Sequence, residues 1–284
     1  MTMLNITPSI RNMIENALQE DLGHGDITTR ALIPTDLRGV ASIMAKSHGI
    51  VSGIEASLEV FRLLDTQVNT QTLIADGTVI GPNDIVAQIE GTIASILNGE
   101  RVALNIIQRL SGISTETSKY VEAVSGTNAH IIDTRKTIPG MRELEKYAVR
   151  MGGGHNHRFN LADGILIKDN HIAPLRSQKM TLSDIIKQAR DKSPHTVKIE
   201  IEVETYEEAM EALDANADII LLDNMSVDEM RKVVVSVQNK CLLEASGGIN
   251  FETVRAVAAT GVDLISVGAL THSVKSLDIS LEIS

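Results

Sequence analysis

Aromatic residues make up only 2% of this chain of 284 residues, and tryptophan is absent. Its core must therefore be built from Ile, Leu, Val, Ala and Met, and stacking platforms for single-stranded nucleic acid are not to be expected. Cysteine is almost as scarce. The single Cys241 excludes an intramolecular disulfide, and its place in Cys241-Leu242-Leu243 reads as a small buried hydrophobe. Positive charge is outweighed as well. The 26 Lys and Arg against 37 Asp and Glu leave a formal net charge of −11, which offers no general field for nucleic acid or an anionic membrane. No run approaches the uninterrupted apolar length of a membrane span, and Met1 to Ile10 lacks the basic start and apolar stretch of a signal peptide. The expectation is a cytoplasmic enzyme with no nucleic-acid or membrane partner.

What is present is an ordinary globular composition, 43% hydrophobic and 22% charged. The chain opens on an amphipathic helical pattern: Ile10, Met13, Ile14, Ala17 and Leu18 recur at helical spacing after Pro8-Ser9. From Gly39 to Gly91 short strands and turns take over, with a helix near Ile54–Leu64, which predicts a small α/β domain. A long helical region follows from about Ala94 to Val124, with Gly112 read as a break. The rhythm then becomes regular. Strands are predicted at His130–Asp133, Gly164–Lys168, Val197–Val203, Ile219–Leu222, Cys241–Ala245 and Leu264–Val267, with helical patterns between the later ones. Alternation of this kind means βαβ units and a parallel sheet.

The reactive residues fall where these strands end. Asp133-Thr134-Arg135-Lys136, Lys168-Asp169-Asn170, Glu202 or Glu204, Asp223-Asn224, Ser246-Gly247-Gly248 and Gly268 each close an apolar run. In a parallel barrel all strand C-termini meet at one rim, where active sites are built. An open doubly wound sheet gathers strand ends around one crevice only. Six polar-tipped strands favour the barrel.

Cations dominate the rim: Arg135, Lys136 and Lys168 at strand ends, and Arg158 beyond a glycine turn. Singly, each reads as a solvated loop charge. Gathered in an acidic protein, they point to an anion, and the planar Arg fork suits carboxylate and phosphate. Gly152-Gly153-Gly154 fits either a helix stop or a loop that lets His155-Asn156-His157-Arg158 approach a ligand. A zinc site from His155, His157 and His171 is disfavoured, because no carboxylate or cysteine pattern completes it. Glu200, Glu202 and Glu204 alternate with Ile199, Ile201 and Val203. That alternation fits a half-exposed strand or, in a barrel, Lys198, Glu200 and Glu202 facing the lumen. Buried charges need partners, and Arg135, Lys136 and Lys168 are the candidates. Asp223 and its neighbouring carboxylate suit ribose hydroxyls or hydrated Mg²⁺. Ser246-Gly247-Gly248 and Val267-Gly268-Ala269 fit either tight turns or the phosphate cradle that late barrel strands provide.

Taken in order, these residues resemble the quinolinate phosphoribosyltransferase family. The resemblance is carried by Glu20-Asp21-Leu22-Gly23-His24-Gly25-Asp26, Glu100-Arg101 within Asn98–Asn105, and Asp133–Thr137. It continues through Gly152–Arg158, Ile167–His171, Glu202-Val203-Glu204, Leu222-Asp223-Asn224, Ser246–Gly248 and Val267–Ser273, and so covers nearly the whole chain. It implies an N-terminal α/β sandwich domain over residues 1–110, with the tail from about 274 to 284 packing back on it. Residues 111–273 would form a seven-stranded (β/α) barrel of the type II phosphoribosyltransferase kind. It implies a pentosyltransferase that joins quinolinate to phosphoribosyl pyrophosphate with loss of CO₂, giving nicotinate mononucleotide for NAD biosynthesis. A homodimer or an assembly of dimers is implied, with Arg101 supplied in trans. Arg135, Lys136, His157, Arg158 and Lys168 would clamp the quinolinate carboxylates and the pyrophosphate, beside Thr134. Glu202 and Asp223 would hold the ribose hydroxyls, and with Lys136 and Lys168 they make the catalytic set. Mg²⁺ would ride mainly on the pyrophosphate, with no metal held by the protein alone. Ser246, Gly247 and Gly248, together with Val267, Gly268 and Ala269, would take the 5′-phosphate.

Three other readings compete. A paralogue of the same fold, associated with molybdenum uptake, shares Thr134-Arg135-Lys136 but differs around Lys168–His171. A Schiff-base aldolase would use Lys168 as nucleophile. A non-catalytic phospholigand-binding barrel would have no need of the Glu202 and Asp223 pair.

Overall fold

The computed structural model describes residues 4–284; Met1, Thr2 and Met3, which open the segment read for a leader, lie outside the described residues. In chain order the elements begin with helices α1 (Pro8–Leu22) and α2 (Ile27–Leu32), then β1 (Arg38–Ala45), β2 (Gly49–Ile50) and α3 (Ile54–Leu64). They continue with β3 (Asn69–Thr72), β4 (Val79–Ile80), β5 (Ile85–Thr92), α4 (Ile93–Ala123), β6 (His130–Ile132) and α5 (Arg142–Met151). Next come β7 (Ile165–Ile167), α6 (Asp169–Ser177), α7 (Leu182–Lys192), β8 (Ile199–Val203), α8 (Tyr206–Asp214) and β9 (Ile219–Asp223). The chain closes with α9 (Val227–Val237), β10 (Leu242–Ser246), α10 (Val254–Ala258), β11 (Leu264–Ser266), α11 (Ala269–His272) and β12 (Ile279–Ile283). No helix among the described residues is long and apolar enough to cross a membrane.

The chain divides into two compact units that interleave along the sequence. The first holds residues up to Ser118, then Thr137–Gly153 and Leu270–Ser284; the second holds Lys119–Lys136 and Gly154–Ala269.

The first unit is built on an antiparallel sheet in the order β12-β1-β5-β3. The C-terminal strand pairs along β1 from Ala41↔Ile283 to Ala45↔Ile279. Helix α3 buries Ile54, Ala56, Leu58, Val60 and Phe61, so apolar contact surrounds most of it. Helix α4 runs unbroken through Gly112, where a break was expected. A Cβ at Gly112 would lie 2.2 Å from the carbonyl oxygen of Lys275, so glycine is there to admit a second backbone.

The second unit is the α/β part. Its six parallel strands run in the order β6-β11-β10-β9-β8-β7. The six strands predicted from the sequence are these six. The seventh position is held by a single residue, His155, which bridges in parallel to Ile132 of β6. Strand alternation sorts the side chains. Ile199, Ile201, Val203, Ile220, Leu222, Ala245 and Ile265 are buried on one face. Each Ile, Leu or Val side chain buried this fully stabilises the fold by about 1.5–3 kcal/mol. Residues at the alternate positions, Glu200 and Glu202 among them, face the lumen. Thr181, Thr205 and Ser226 cap α7, α8 and α9 by accepting from the backbone N–H three residues on, and the last two end the rim loops after β8 and β9 at fixed points. Cys241, just before β10, is half-buried rather than buried. Burial and the nearby Asp263 and Asp218 push its thiol up to about 11, so it stays protonated and inert.

Candidate active site

The rim of the second unit is assembled from the bottom of each loop. Asp133, directly after β6, is fully buried and anchors the next segment of the barrel wall. Its carboxylate accepts from Asn156 Nδ2 at 2.6 Å and from the backbone N–H of His157 at 2.8 Å. That places His157 and Arg158 beside Thr134, Arg135 and Lys136. Arg158 also donates through Nη1 to the carbonyl of Gly164 at 3.0 Å, just ahead of β7. Between His155 and β7 the described residues form no strand pair, so this side-chain bond links the two ends of the wall.

Together these groups enclose a cavity of about 580 Å³. Thr134, Arg135, Lys136, His157, Arg158 and Lys168 line it, as do Glu202, Asp223, Ser246, Gly247 and Gly248. Lys168 Nζ lies 2.9 Å from Glu202 Oε2, an ion pair across neighbouring strands. Asp223 accepts from Asn224 Nδ2 at 2.7 Å. Burial, and then the nearby Arg135 guanidinium, depress the pKa of Arg158. Two cations held together against their repulsion make a site that is completed by an anion.

The loop after β10 has the backbone of an anion cradle. Gly247 and Gly248 have φ of +89° and +61°, a conformation that L side chains rarely adopt. A Cβ on Gly247 would fall 2.3 Å from Asn224 Oδ1 and 2.7 Å from Asn224 N, so the turn packs directly on the loop after β9. Turns of this kind leave backbone N–H groups to face an anion.

Four of the residues picked from the sequence are not in this cavity. Val267 is buried, and its N–H is committed to the carbonyl of Ile132 at 3.0 Å; Gly268 and Ala269, which follow it, are not among the lining residues. Arg101 is exposed on the part of α4 that belongs to the first unit. The partners expected for the lumen carboxylates are also redistributed. Glu202 pairs with Lys168, but Glu200 faces His157, with Nε2 to Oε2 at 3.3 Å. The histidine set considered for zinc is not the one brought together. The cluster of ligand type among the described residues is His157, Glu200 and Glu244.

Glu244, Asn224 and Ser266 line the cavity without having been singled out. For Glu244 the signal was there: a lone charge in Leu242-Leu243-Glu244-Ala245, in alternation with Ser246 and so on the lumen face. The apolar run around it concealed it.

Comparison with known proteins covers the whole of this architecture. The family model "Quinolinate phosphoribosyl transferase, N-terminal domain" matches residues 26–111, and the corresponding C-terminal domain model matches residues 113–282. A Bacillus subtilis protein named probable nicotinate-nucleotide pyrophosphorylase (carboxylating) is 45% identical over 97% of this chain and 93% of its own. The Mycobacterium leprae nicotinate-nucleotide pyrophosphorylase (carboxylating) is 39% identical over 96% of both. The crystal structure of NadC from Streptococcus pyogenes superposes with a TM-score of 0.93 at 40% identity, over 99% of each chain.

Proposed function

This chain belongs to the quinolinate phosphoribosyltransferase family, and from that premise we propose that it transfers phosphoribosyl from phosphoribosyl pyrophosphate to the ring nitrogen of quinolinate, with loss of CO₂, to supply nicotinate mononucleotide for NAD biosynthesis. The observation that carries the reading is the cationic wall of Arg135, Lys136, Arg158 and Lys168 facing the carboxylates Glu202 and Asp223 in one cavity. Quinolinate brings two adjacent carboxylates and the second substrate a pyrophosphate, and both are matched by a wall of this sign.

The reaction follows from that arrangement. As pyrophosphate leaves the anomeric carbon, positive charge grows on the ribose ring and negative charge on the leaving group. Glu202 and Asp223 stabilise the first, and Lys136 and Lys168 the second. Arg135, Arg158 and His157 hold the quinolinate carboxylates so that the ring nitrogen meets the anomeric carbon, and much of the acceleration is positioning. Once alkylated, the nitrogen is cationic and stabilises the electron pair left behind when the adjacent carboxylate departs as CO₂. Ser246, Gly247 and Gly248 receive the 5′-phosphate. Mg²⁺ would be carried on the pyrophosphate, with Asp223 the residue that would meet its water shell, and it would neutralise charge on the leaving group.

The pairing of Lys168 with Glu202 speaks against a Schiff-base aldolase, whose lysine has to be a neutral amine. We place the enzyme in the cytoplasm as a homodimer or an assembly of dimers. Arg101, exposed on α4 and outside the cavity of the second unit, is the residue we assign to a second copy's site.

The deciding assay supplies quinolinate, phosphoribosyl pyrophosphate and Mg²⁺ and follows nicotinate mononucleotide and CO₂. Nicotinate lacks the carboxylate next to nitrogen and should be turned over less well by a factor of about 10⁴, as sites built around a polar group reject analogues without it. Comparable turnover of the two would overturn the substrate assignment. Mixing Arg101→Ala with Lys168→Ala chains should restore activity in mixed dimers, and verified mixed dimers without activity would refute the shared site.

A further inference from the structure

The chemistry above leaves one step without an owner. When CO₂ departs, the electron pair stays on the ring carbon beside the nitrogen, and that carbon must gain a proton before the nucleotide is complete. Guanidinium groups hold their protons too tightly for this task, Lys168 is tied to Glu202, and Lys136 is assigned above to the leaving pyrophosphate.

The floor of the cavity holds a different kind of group. Glu202 of β8 and Glu244 of β10 both stand in register with Leu221 of β9, so the two carboxyl groups lie at one depth in the lumen. Glu244 lines the cavity there, is only 1% exposed, and has an Oε1 with no hydrogen-bond partner among the described residues. Glu200, one layer deeper, is 5% exposed and has the same deficit at its own Oε1. The ligand atoms of Glu200, Glu244 and His157 fall within 4.8 Å of one another. Behind them lies a second cavity of about 380 Å³, lined by Glu200 and Lys198. His157, Arg158 and Glu244 line both cavities and so form the partition between them.

We propose that the carboxyl group of Glu244 is the acid that protonates the ring carbon vacated by CO₂, a role that rests on the reaction assigned above. Two carboxyl groups so close in a dry lumen share one proton, because both cannot be charged at once. The hydrogen bonds decide which carries it. The backbone N–H of Arg158 donates to His157 Nδ1 at 2.6 Å, so the imidazole hydrogen sits on Nε2. Nε2 lies 3.3 Å from Glu200 Oε2 and 3.7 Å from Glu244 Oε2. Glu200 is the nearer of the two to the Nε2 hydrogen, which leaves the proton of the pair to Glu244. Burial first, and Glu200 second, hold the Glu244 carboxyl well above the usual carboxylate range, against weaker pulls from the Ser266 hydroxyl and then Lys168. The groups facing it are Glu200 from β8, His157 and Arg158 ahead of β7, Lys168 behind it, and the hydroxyl of Ser266 on β11. A divalent cation among the three ligands would need the Nε2 lone pair that this hydrogen-bond pattern commits to N–H.

The step balances simply. The bond from the ring carbon to the carboxylate breaks, its electron pair stays on the carbon, and CO₂ leaves. The O–H bond of Glu244 then breaks as the new C–H bond forms. Solvent returns one proton to Glu244 before the next turnover.

Glu244→Gln keeps the size and polarity of the side chain but has no acidic proton to give. Its kcat should fall about 100-fold or more, the usual reach of a positioned acid. Its quinolinate dissociation constant should move by less than about threefold, as for a group that acts only in the transition state. Wild-type kcat should fall on the alkaline side as Glu244 loses its proton, and the Gln variant should lack that fall. A kcat within about threefold of wild type overturns the proposal, and so does an equal loss of quinolinate affinity, which marks a group that only shapes the pocket. A wild-type kcat with no alkaline fall overturns it as well. So does a divalent metal that co-purifies with wild type at one per chain and is lost from the variant. If Glu244→Gln does not fold, Glu244→Asp stands in: an acid set back by one carbon should keep the alkaline fall at reduced kcat, and its absence refutes the idea. Wild type without quinolinate turnover sinks both readings, whereas normal turnover with an indifferent Glu244 variant sinks only this one.

Discussion

Glu145 in the first unit and Glu244 in the second are both removed from water, yet their surroundings differ in kind. Glu145 accepts from Arg109 through Nε at 2.8 Å and Nη2 at 2.5 Å, and its other oxygen accepts from the N–H of Ile138 at 3.2 Å. Asp76 in the same unit is served by Tyr147 Oη at 2.8 Å and by the N–H groups of Gly53 and Ile54 at 3.0 and 3.2 Å. In the second unit Glu200 and Glu244 each keep an oxygen with no partner among the described residues. Groups that only support a fold are saturated, because an unmet buried polar atom costs about 1–3 kcal/mol. Ser52 Oγ and Asn98 Oδ1 of the first unit also have no partner among the described residues, so the contrast holds for the carboxyl groups: those left short lie in the lumen, where a substrate or a proton belongs.

The hardest test of this contrast is Arg109→Ala. It strands the fully buried Glu145 carboxylate and removes the bond from Arg109 Nη2 to the carbonyl of Thr271 at 2.7 Å. Breaking a buried pair in this way should cost about 3–5 kcal/mol, read from urea denaturation, with the quinolinate KM of the folded fraction unchanged. A loss below about 1 kcal/mol would mean that saturation does not mark the scaffold.

A smaller effect distinguishes two adjacent glycines. Gly247→Ala meets the backbone of Asn224 and the left-handed φ together and should destabilise by about 1–3 kcal/mol while weakening binding of phosphoribosyl pyrophosphate. Gly248→Ala has open space at Cβ, so only the left-handed backbone acts against it, about 1–2 kcal/mol. Titration calorimetry and thermal melts of the two variants read this difference. Equal binding losses would show that the packing of Gly247 on the β9 loop has no part in shaping the cradle.

The sequence made the second unit more legible than the first, for a physical reason. Apolar runs ending in Asp133, Lys168, Asp223 and Ser246 carry both strand and rim in one signal, since the same residue ends the element and enters the site. Helix α5 carries no such signal: Glu143, Glu145 and Lys146 make it look solvated, although Glu145 and Lys146 are buried. Its burial depends on Arg109, 36 positions away in sequence, and no local pattern contains that. Gly112 misled for the same reason, because the backbone it admits is that of Lys275. Arg135 and Arg158 were found because their charge stands out, whereas Glu244 was hidden by the leucines before it. The seventh strand was implied by resemblance; among the described residues only His155 forms a bridge at its place, and Arg158 supplies the link that a ladder would otherwise give.

The smallest effect is the most discriminating, because the contrast between the units predicts its sign. Glu244→Gln exchanges a neutral acid for a neutral amide, so at neutral pH stability should change by less than about 1 kcal/mol, in keeping with near-neutral replacements of buried ionisable groups. The folded-state pKa of Glu244 is raised above its unfolded value by burial and by Glu200. Whatever stability its protonated form contributes is present in full at low pH and is lost as pH rises through the raised pKa, since the unfolded chain releases that proton first. Glutamine has no proton to lose. The variant should therefore equal wild type at the acid end and become the more stable of the two as the solution is made alkaline, while its catalysis stays impaired. Arg109→Ala should be the less stable protein across the same range. Melting curves of the three proteins across pH decide the matter. A Glu244 variant that tracks wild type at every pH would show that Glu244 is charged in the folded enzyme, and that the buried carboxyl groups of the two units are alike after all.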